Sequence, residues 1–163
     1  MGTSSVSLMS TLMTSRFQNK FKKQNGLRQR AENVREEKPV SVGNQLLNFN
    51  FKDLDSVQCP PGQTAEEWQK EGLLSALVEK LKNLSSMTLN EALQQQQIKI
   101  YGSFPPKSDF VSPKYLEGKV RWSVIMNVKG QKCRVAGYVD GNTFFIVFLD
   151  RKHRFFITEK KHT

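Results

Sequence analysis

Apolar and polar positions after residue 44 recur in patterns that predict strands on either side of a helical stretch. Between Leu47 and Phe51 every second residue is apolar, which is the period of a half-buried strand. From Trp68 to Leu84 the apolar residues recur at helical spacing instead. Thr64 and Glu67 form a capping box ahead of this stripe, so a helix is predicted from there to about Asn83.

A second, shorter helix and a long loop are predicted next. Thr88 and Glu91 form another capping box, and the glutamine run 94–97 is predicted to end the helix that this box opens. Alternation beginning at Ile98 predicts a further strand. The segment Pro105–Gly118 contains three prolines and several polar residues, so it is predicted to be a surface loop.

The last third of the chain indicates an antiparallel meander. Asp140-Gly141-Asn142 is a hairpin signal, because such turns need backbone torsions that Gly and Asn tolerate. The run 144–149 is apolar on both faces, which predicts a central strand covered by helices on one side. The predicted strands of this part are 120–128, 132–139, 143–149 and 154–158. The predicted fold class is α+β, with two helices packed on one face of a small antiparallel β-sheet.

The first 43 residues differ in composition from the rest of the chain. With 163 residues and 37% hydrophobic residues, the sequence suits one domain spanning 44–163 and a flexible basic arm spanning 1–43. Met1–Arg30 contains no acidic residue, and its apolar residues recur at helical spacing near 7–23. The arm therefore suits an amphipathic helix that docks on a protein partner, a membrane-surface helix, an organelle transit peptide or a solvated tail.

The charge balance favours polyanionic partners. A formal net charge of +10 predicts attraction to nucleic acid, with RNA favoured over DNA, or to the ribosome. Acidic proteins and anionic membranes are open alternatives, although no apolar run approaches the length of a transmembrane segment. Cys59 and Cys133 lack metal-ligand spacing, and no metal or cofactor is expected. The protein is expected in the cytoplasm, or in an organelle if its source is eukaryotic.

The predicted element order, on a small basic chain, resembles that of the RelE/ParE superfamily of bacterial toxins. The segments 134–137, 142–150 and 153–155 also resemble the ends of small bacterial proteins often found on mobile elements. The resemblance covers the chain from Leu46 onward, and it implies a short antiparallel sheet with two helices against it. It further implies metal-independent cleavage of messenger RNA on the ribosome, or inhibition of a DNA-associated target. The long loop, the arm and the lack of a tyrosine after Tyr138 depart from the family's pattern.

Seven residues of the C-terminal third are candidates for the site that this resemblance implies. The candidates for catalysis are Arg121, Arg134 and His153, because guanidinium groups stabilise phosphate charge and an imidazole transfers protons near neutral pH. The candidates for contact with nucleic acid are Lys132, Tyr138, Lys152 and Arg154. The plainer alternatives are solvent-facing arginines paired with acids, a solvated turn histidine and phenylalanines that pack in the core.

Two functions are therefore predicted. The first is that of a nucleic-acid-directed protein acting as a metal-independent, toxin-like ribonuclease. The alternative is that of a non-catalytic adaptor, which binds a protein partner or the ribosome through its arm and its sheet. The first function depends on the C-terminal sheet gathering its arginines on one open surface that can hold an anion.

Overall fold

A computed structural model describes residues 44–159, in which five strands and three α-helices are formed. In chain order these are β1 Asn48–Asn50, α1 Ala65–Lys70, α2 Leu73–Leu84, α3 Leu89–Gln94, β2 Ile98–Gly102, β3 Trp122–Ile125, β4 Arg134–Asp140 and β5 Thr143–Asp150. A short 3-10 turn, Lys114–Leu116, precedes β3. Within the described range, none of the helices has the length and apolar character needed to cross a membrane. The predicted basic arm, 1–43, with its helix near 7–23, lies outside the described residues.

The five strands form one sheet in the order β1-β5-β4-β3-β2. β1 runs parallel to β5, and the other three strand pairs are antiparallel. The predicted α+β class is confirmed, but the prediction of an antiparallel sheet is wrong for the first strand. All the other elements lie between β1 and β5 along the chain. Side-chain alternation therefore predicts that β1 is a strand but carries no information about its direction.

The single long helix predicted from Thr64 to about Asn83 is two helices, so three helices are formed where two were expected. α1 ends at Lys70, and Gly72 has a φ of 71°, a left-handed conformation that interrupts the helical path. Both predicted capping boxes are present. The Glu67 N–H donates to Oγ1 of Thr64 at 3.3 Å, and the equivalent box opens α3.

The helices cover one face of the sheet. Trp68, Leu77 and Leu84 are buried helical residues in one hydrophobic cluster with Ile125 and Ile146 of the sheet. Removal of this apolar surface from water is the main favourable contribution to folding. This face is the helix-covered side predicted for the central strand.

The opposite face is covered by the loop 103–121 and by the C-terminal segment 151–159. Phe110 of the loop and Phe155 of the segment are 3% and 1% exposed, and they share a second hydrophobic cluster with Trp122 of β3. The predicted surface loop therefore forms part of the core. Neither face of the sheet is open to solvent at its centre.

Two predictions for the end of the chain have different outcomes. Residues 154–158, predicted as a strand, form no strand, because β5 ends at Asp150 and a turn directs the chain back across the sheet. The prediction that the phenylalanines belong to the core is confirmed for Phe144, Phe148 and Phe155, which are at most 1% exposed.

A β-bulge in β5 changes which side chains face each cluster. Ala136 pairs with Phe148 whereas Gly137 pairs with Ile146, so Val147 is an extra residue. Val147 and Phe148 consequently both belong to the aromatic cluster. A Cβ atom at Gly137 would lie 1.9 Å from a carbonyl oxygen of β5. The close approach of the two strands therefore requires glycine at this position.

The outer edge of β5 is completed by side chains rather than by a strand. β1 pairs with β5 only as far as Phe145. Further along, the Leu149 N–H donates to Oε1 of Gln58 at 3.0 Å, and the Arg151 N–H donates to Oε1 of Gln63 at 2.9 Å. Both glutamines are buried, with exposures of 5% and 1%. Two side-chain amides thus act as the missing strand and satisfy backbone donors of β5 and of the residue after it.

Replacing Gln63 with leucine is predicted to destabilise the fold. The variant Gln63→Leu keeps a similar volume but leaves the Arg151 N–H without its acceptor. We expect the free energy of unfolding, measured by urea denaturation, to fall by about 1–3 kcal/mol. Gln69→Leu, on the exposed surface of α1, is the matched control and should change stability by less than about 0.5 kcal/mol. Equal losses in the two variants would show that the buried amide has no special role.

Candidate anion-binding site

Cationic side chains converge where β4 begins and β5 ends. Arg134 pairs with Asp150, so the loop that precedes β4 lies beside the turn that follows β5. These two segments and the start of α2 line a cavity of about 420 Å³. Its cationic lining residues are Lys129, Lys132, Arg151 and Lys152. We call this feature the basic cavity.

Asp150 fixes the turn that carries two of these cations. Its side chain is buried, and its two carboxylate oxygens accept the N–H groups of Arg154 and Phe155 at 2.9 and 2.8 Å. Burial raises the pKa of Asp150, while the backbone N–H donors oppose this shift. The carboxylate therefore closes the turn internally and leaves Lys152 exposed.

Arg151 is held in place from several sides. Its Nη1 is paired with the carboxylate of Glu71, and its backbone N–H is bound by Gln63. Its guanidinium packs over Gly62, where a Cβ atom would lie 2.5 Å from Nη2. Nε of Arg151 has no hydrogen-bond partner among the described residues. The guanidinium is thus preorganised at the wall of the basic cavity before any ligand binds.

The N-terminus of α2 lies at the wall of the same cavity. Leu73, the first residue of α2, lines the basic cavity. Gly72 precedes it and supplies no capping side chain, and the first turn of α2 contains no acidic residue. α1 and α3, in contrast, both begin with a Thr–Glu capping box. The partial positive charge at the start of α2 is therefore not compensated by a side chain of its own first turn.

The positive charge of the described fold is local rather than general. Residues 44–159 contain fifteen Lys and Arg and twelve Asp and Glu, a formal excess of three, whereas the whole chain has a net charge of +10. Two short stretches, 129–134 and 151–154, contain six of those fifteen cations and no acid. Four of these six cations line the basic cavity, which is therefore a local concentration of positive charge.

Arg134 and His153, both predicted catalytic residues, lie near each other, but neither lines the basic cavity. Burial lowers the pKa of His153, and the positive charge of Arg134 lowers it further, against the opposing effect of Asp150. Nε2 of His153 is buried without a partner in the described part of the chain. The Arg134 guanidinium makes only long hydrogen bonds, of 3.4 and 3.5 Å, to the carbonyl oxygen of Gln131. A neutral imidazole thus lies near a weakly bound guanidinium.

The predicted arginines do not share one surface. Arg121 precedes β3, and Trp122 pairs with Tyr138, so Arg121 lies at the opposite end of β4 from Arg134. Arg154 is paired with Asp109 at 2.6 Å. Of the predicted site residues, Lys132 and Lys152 line the basic cavity, and Arg134 lies near His153 outside its lining. Arg121 joins neither group.

Tyr138 has a different role from the base-stacking one expected for it. Its hydroxyl donates to Oδ2 of Asp53 at 2.6 Å, and its ring stacks on Phe145 with centroids 4.8 Å apart. The residue is only 7% exposed. Burial and the Asp53 carboxylate raise the pKa of Tyr138, which keeps the hydroxyl protonated. This ring therefore presents little surface to a base and helps to hold the covering segments on the sheet.

Lys129, Arg151 and Cys133 line the basic cavity but were not predicted as site residues. The signal that could have identified the two cations is the grouping of acid-free basic stretches at the ends of strands that are neighbours in a hairpin. Cys133 is buried, which raises the pKa of its thiol to about 11. Its thiol therefore stays protonated at neutral pH and offers no thiolate to a ligand.

Within residues 44–159, no group of three or more His, Cys, Asp and Glu side chains is placed to hold a metal ion.

No protein-family model, curated protein or solved structure matches this chain. The resemblance to the RelE/ParE superfamily stays a prediction, and the function is inferred from the geometry of the site.

His153 is predicted to make the stability of the fold depend on pH. Its pKa is lower in the folded state, so the unfolded chain takes up the proton first as the pH falls. The stability that this difference in pKa contributes is complete above the ordinary histidine pKa of about 6.5. It is lost as the pH falls through the pKa of His153 in the folded state. In His153→Asn, urea denaturation should show a smaller loss of stability between about pH 7.5 and 5 than in the wild type. Asn is chosen because residue 153 has a φ of 59°, a conformation that Asn tolerates.

The control for this prediction is a variant of Arg134, whose positive charge is the second cause of the lowered pKa of His153. Arg134→Gln removes a charge that lowers the pKa of His153, so this variant should also lose less stability on acidification. The pKa of Asp150 is raised in the folded state, so this residue contributes stability that is present at low pH and lost as the pH rises. Because the wild type and both variants contain Asp150, the contribution of His153 is obtained from the difference between the wild type and each variant. An identical pH dependence in the wild type and in His153→Asn would contradict the assignment.

Proposed function

We propose that the protein binds RNA by holding phosphate in the basic cavity. The observation that carries this proposal is the convergence of four cationic side chains from two segments on one cavity of about 420 Å³. Glu71 is the one acidic residue among the described residues that line the cavity, and it is already paired with Arg151. Phosphate groups are stabilised both by such cations and by the free N–H groups of a helix start.

The composition of the cavity favours nucleic acid over a protein partner. Lysine is depleted from protein–protein interfaces, yet three of the four cations are lysines. The four cations line one cavity of limited volume, which suits a flexible single strand better than a duplex. Single-stranded RNA, free or exposed on a ribosome, presents the phosphate groups that this arrangement fits.

Removal of two lysines tests the binding site. Lys132→Gln combined with Lys152→Gln should weaken binding of single-stranded RNA about tenfold. It should also reduce the slope of log affinity against log salt by about 1.4, since each phosphate contact contributes about 0.7. Fluorescence anisotropy at several salt concentrations measures both quantities. Both side chains are exposed, so the fold should be retained.

A second pair of lysines provides a matched control. Lys114→Gln combined with Lys119→Gln removes the same charge from the loop that leads into β3, away from the basic cavity. This pair should leave the affinity within about twofold of the wild type. An equal loss with both pairs would mean that only net charge matters. A salt-insensitive affinity would favour the adaptor interpretation, with an apolar interface to a protein partner.

Metal-independent RNA cleavage is a second candidate function, and it is favoured by the proximity of His153 and Arg134. The lowered pKa leaves the imidazole neutral at pH 7, so it can accept a proton. In this reaction the RNA 2′-oxygen attacks phosphorus as His153 takes its proton, and the bond to the 5′-oxygen breaks. The 5′-oxygen takes a proton from water, and Arg134 stabilises the charge on phosphate. The resemblance to the RelE/ParE superfamily implies the same class of chemistry.

Cleavage is tested separately from binding. Purified wild-type protein should convert single-stranded RNA to fragments ending in 2′,3′-cyclic phosphate in the presence of EDTA. His153→Asn and Arg134→Gln should each slow this reaction by about 100-fold or more. Arg121→Gln, at the far end of β4, should retain the wild-type rate. RNA that is bound but stays intact would exclude cleavage and leave the binding proposal standing.

A further inference from the structure

We propose, on the basis of the RNA-binding function inferred above, that the basic cavity receives the terminal phosphate monoester of a strand rather than an internal phosphodiester. The cavity would then recognise the end of an RNA chain. A compact site for one highly charged group and a track for a backbone require different arrangements of cations. The described residues have the first arrangement.

The cations that line the cavity come from two separate segments rather than from one strand or helix. Lys129 and Lys132 reach the cavity from the loop before β4, whereas Arg151 and Lys152 reach it from the turn after β5. An internal phosphate is followed on both sides by further phosphates, which a protein neutralises with cations along a groove. Cations that reach one cavity from two segments suit a single phosphate group better than a run of internal phosphates.

Within residues 44–159, two cations near the C-terminal segment are already paired with acids. Arg154 is paired with Asp109, and Lys107, which lies on the same side of the fold, is paired with Glu159. These side chains have less charge to offer to a backbone that would continue from the basic cavity. Arg151 is paired with Glu71 in the same way, so the three lysines carry the excess positive charge of the basic cavity.

A terminal phosphate gains more from this site than an internal one. At pH 7 a phosphate monoester carries a charge of about −1.5 to −2 and three strong acceptor oxygens, whereas a diester carries only a single charge. Arg151 is held by Glu71 and packs on Gly62, so little of its freedom is lost when it donates to an anion. The uncapped start of α2 provides backbone N–H groups that favour the same dianion.

The test compares one 12-nucleotide RNA with three kinds of end. The full-length protein is titrated with the oligonucleotide bearing a 5′-phosphate, a 3′-phosphate or hydroxyls at both ends, at one salt concentration. We expect at least one phosphorylated form to bind about tenfold more tightly than the hydroxyl form. The advantage should grow between pH 5 and 7.5, because the second pKa of a phosphate monoester is about 6. Lys132→Gln with Lys152→Gln should abolish the advantage, and Lys114→Gln with Lys119→Gln should keep it.

A further variant separates recognition from folding. Ser75→Glu places an acid in the first turn of α2, where it stabilises the helix but repels an anion at the helix start. This variant should fold as well as the wild type and should reduce the preference for a phosphorylated end several-fold. Equal wild-type affinity for all three oligonucleotides would overturn end recognition and leave RNA binding intact. Failure to bind any of them would overturn both proposals.

Discussion

The fold and the candidate site both depend on how the outer edge of β5 is satisfied. β1 is only three residues long, so most of β5 lacks a neighbouring strand on that side. Gln58 and Gln63 provide the missing acceptors from a loop. A buried backbone donor without an acceptor would cost about 1–3 kcal/mol. Because Gln63 binds the N–H of Arg151, the interaction that closes the sheet edge also holds the first cation of the basic cavity in place.

The turn after β5 extends this coupling into the site. The Asp150 carboxylate accepts two backbone N–H groups of the turn, so the chain reverses without leaving donors unpaired. The reversal sends Phe155 into the aromatic cluster and leaves Lys152 exposed at the cavity. Apolar burial on one side of the turn thus fixes the position of positive charge on the other. A cation presented in this way loses little conformational freedom when it binds an anion.

Local signals in the sequence were sufficient for the elements but not for their arrangement. The two capping boxes and the turn between β4 and β5 depend on residues within four positions of each other, and all were predicted. The parallel pairing of β1, the bulge at Val147 and the burial of Phe110 depend on contacts between distant residues, and none was predicted. In the site, Lys132 and Lys152 were among the residues predicted to contact nucleic acid. Arg151 was not, because its role depends on the distant residues Glu71 and Gly62.

The covering of both sheet faces restricts where a polyanion can bind. The aromatic cluster of Trp122, Phe148 and Phe155 occupies the face that a base-stacking platform would need, and it is closed by the loop and the C-terminal segment. The residues 44–159 carry a formal excess of only three positive charges, so a general attraction to nucleic acid is weak in this part of the chain. The RNA binding that we propose therefore relies on the local grouping of charge at the end of the sheet and not on its face. A short, preorganised set of donors at such an end selects for a compact and highly charged group.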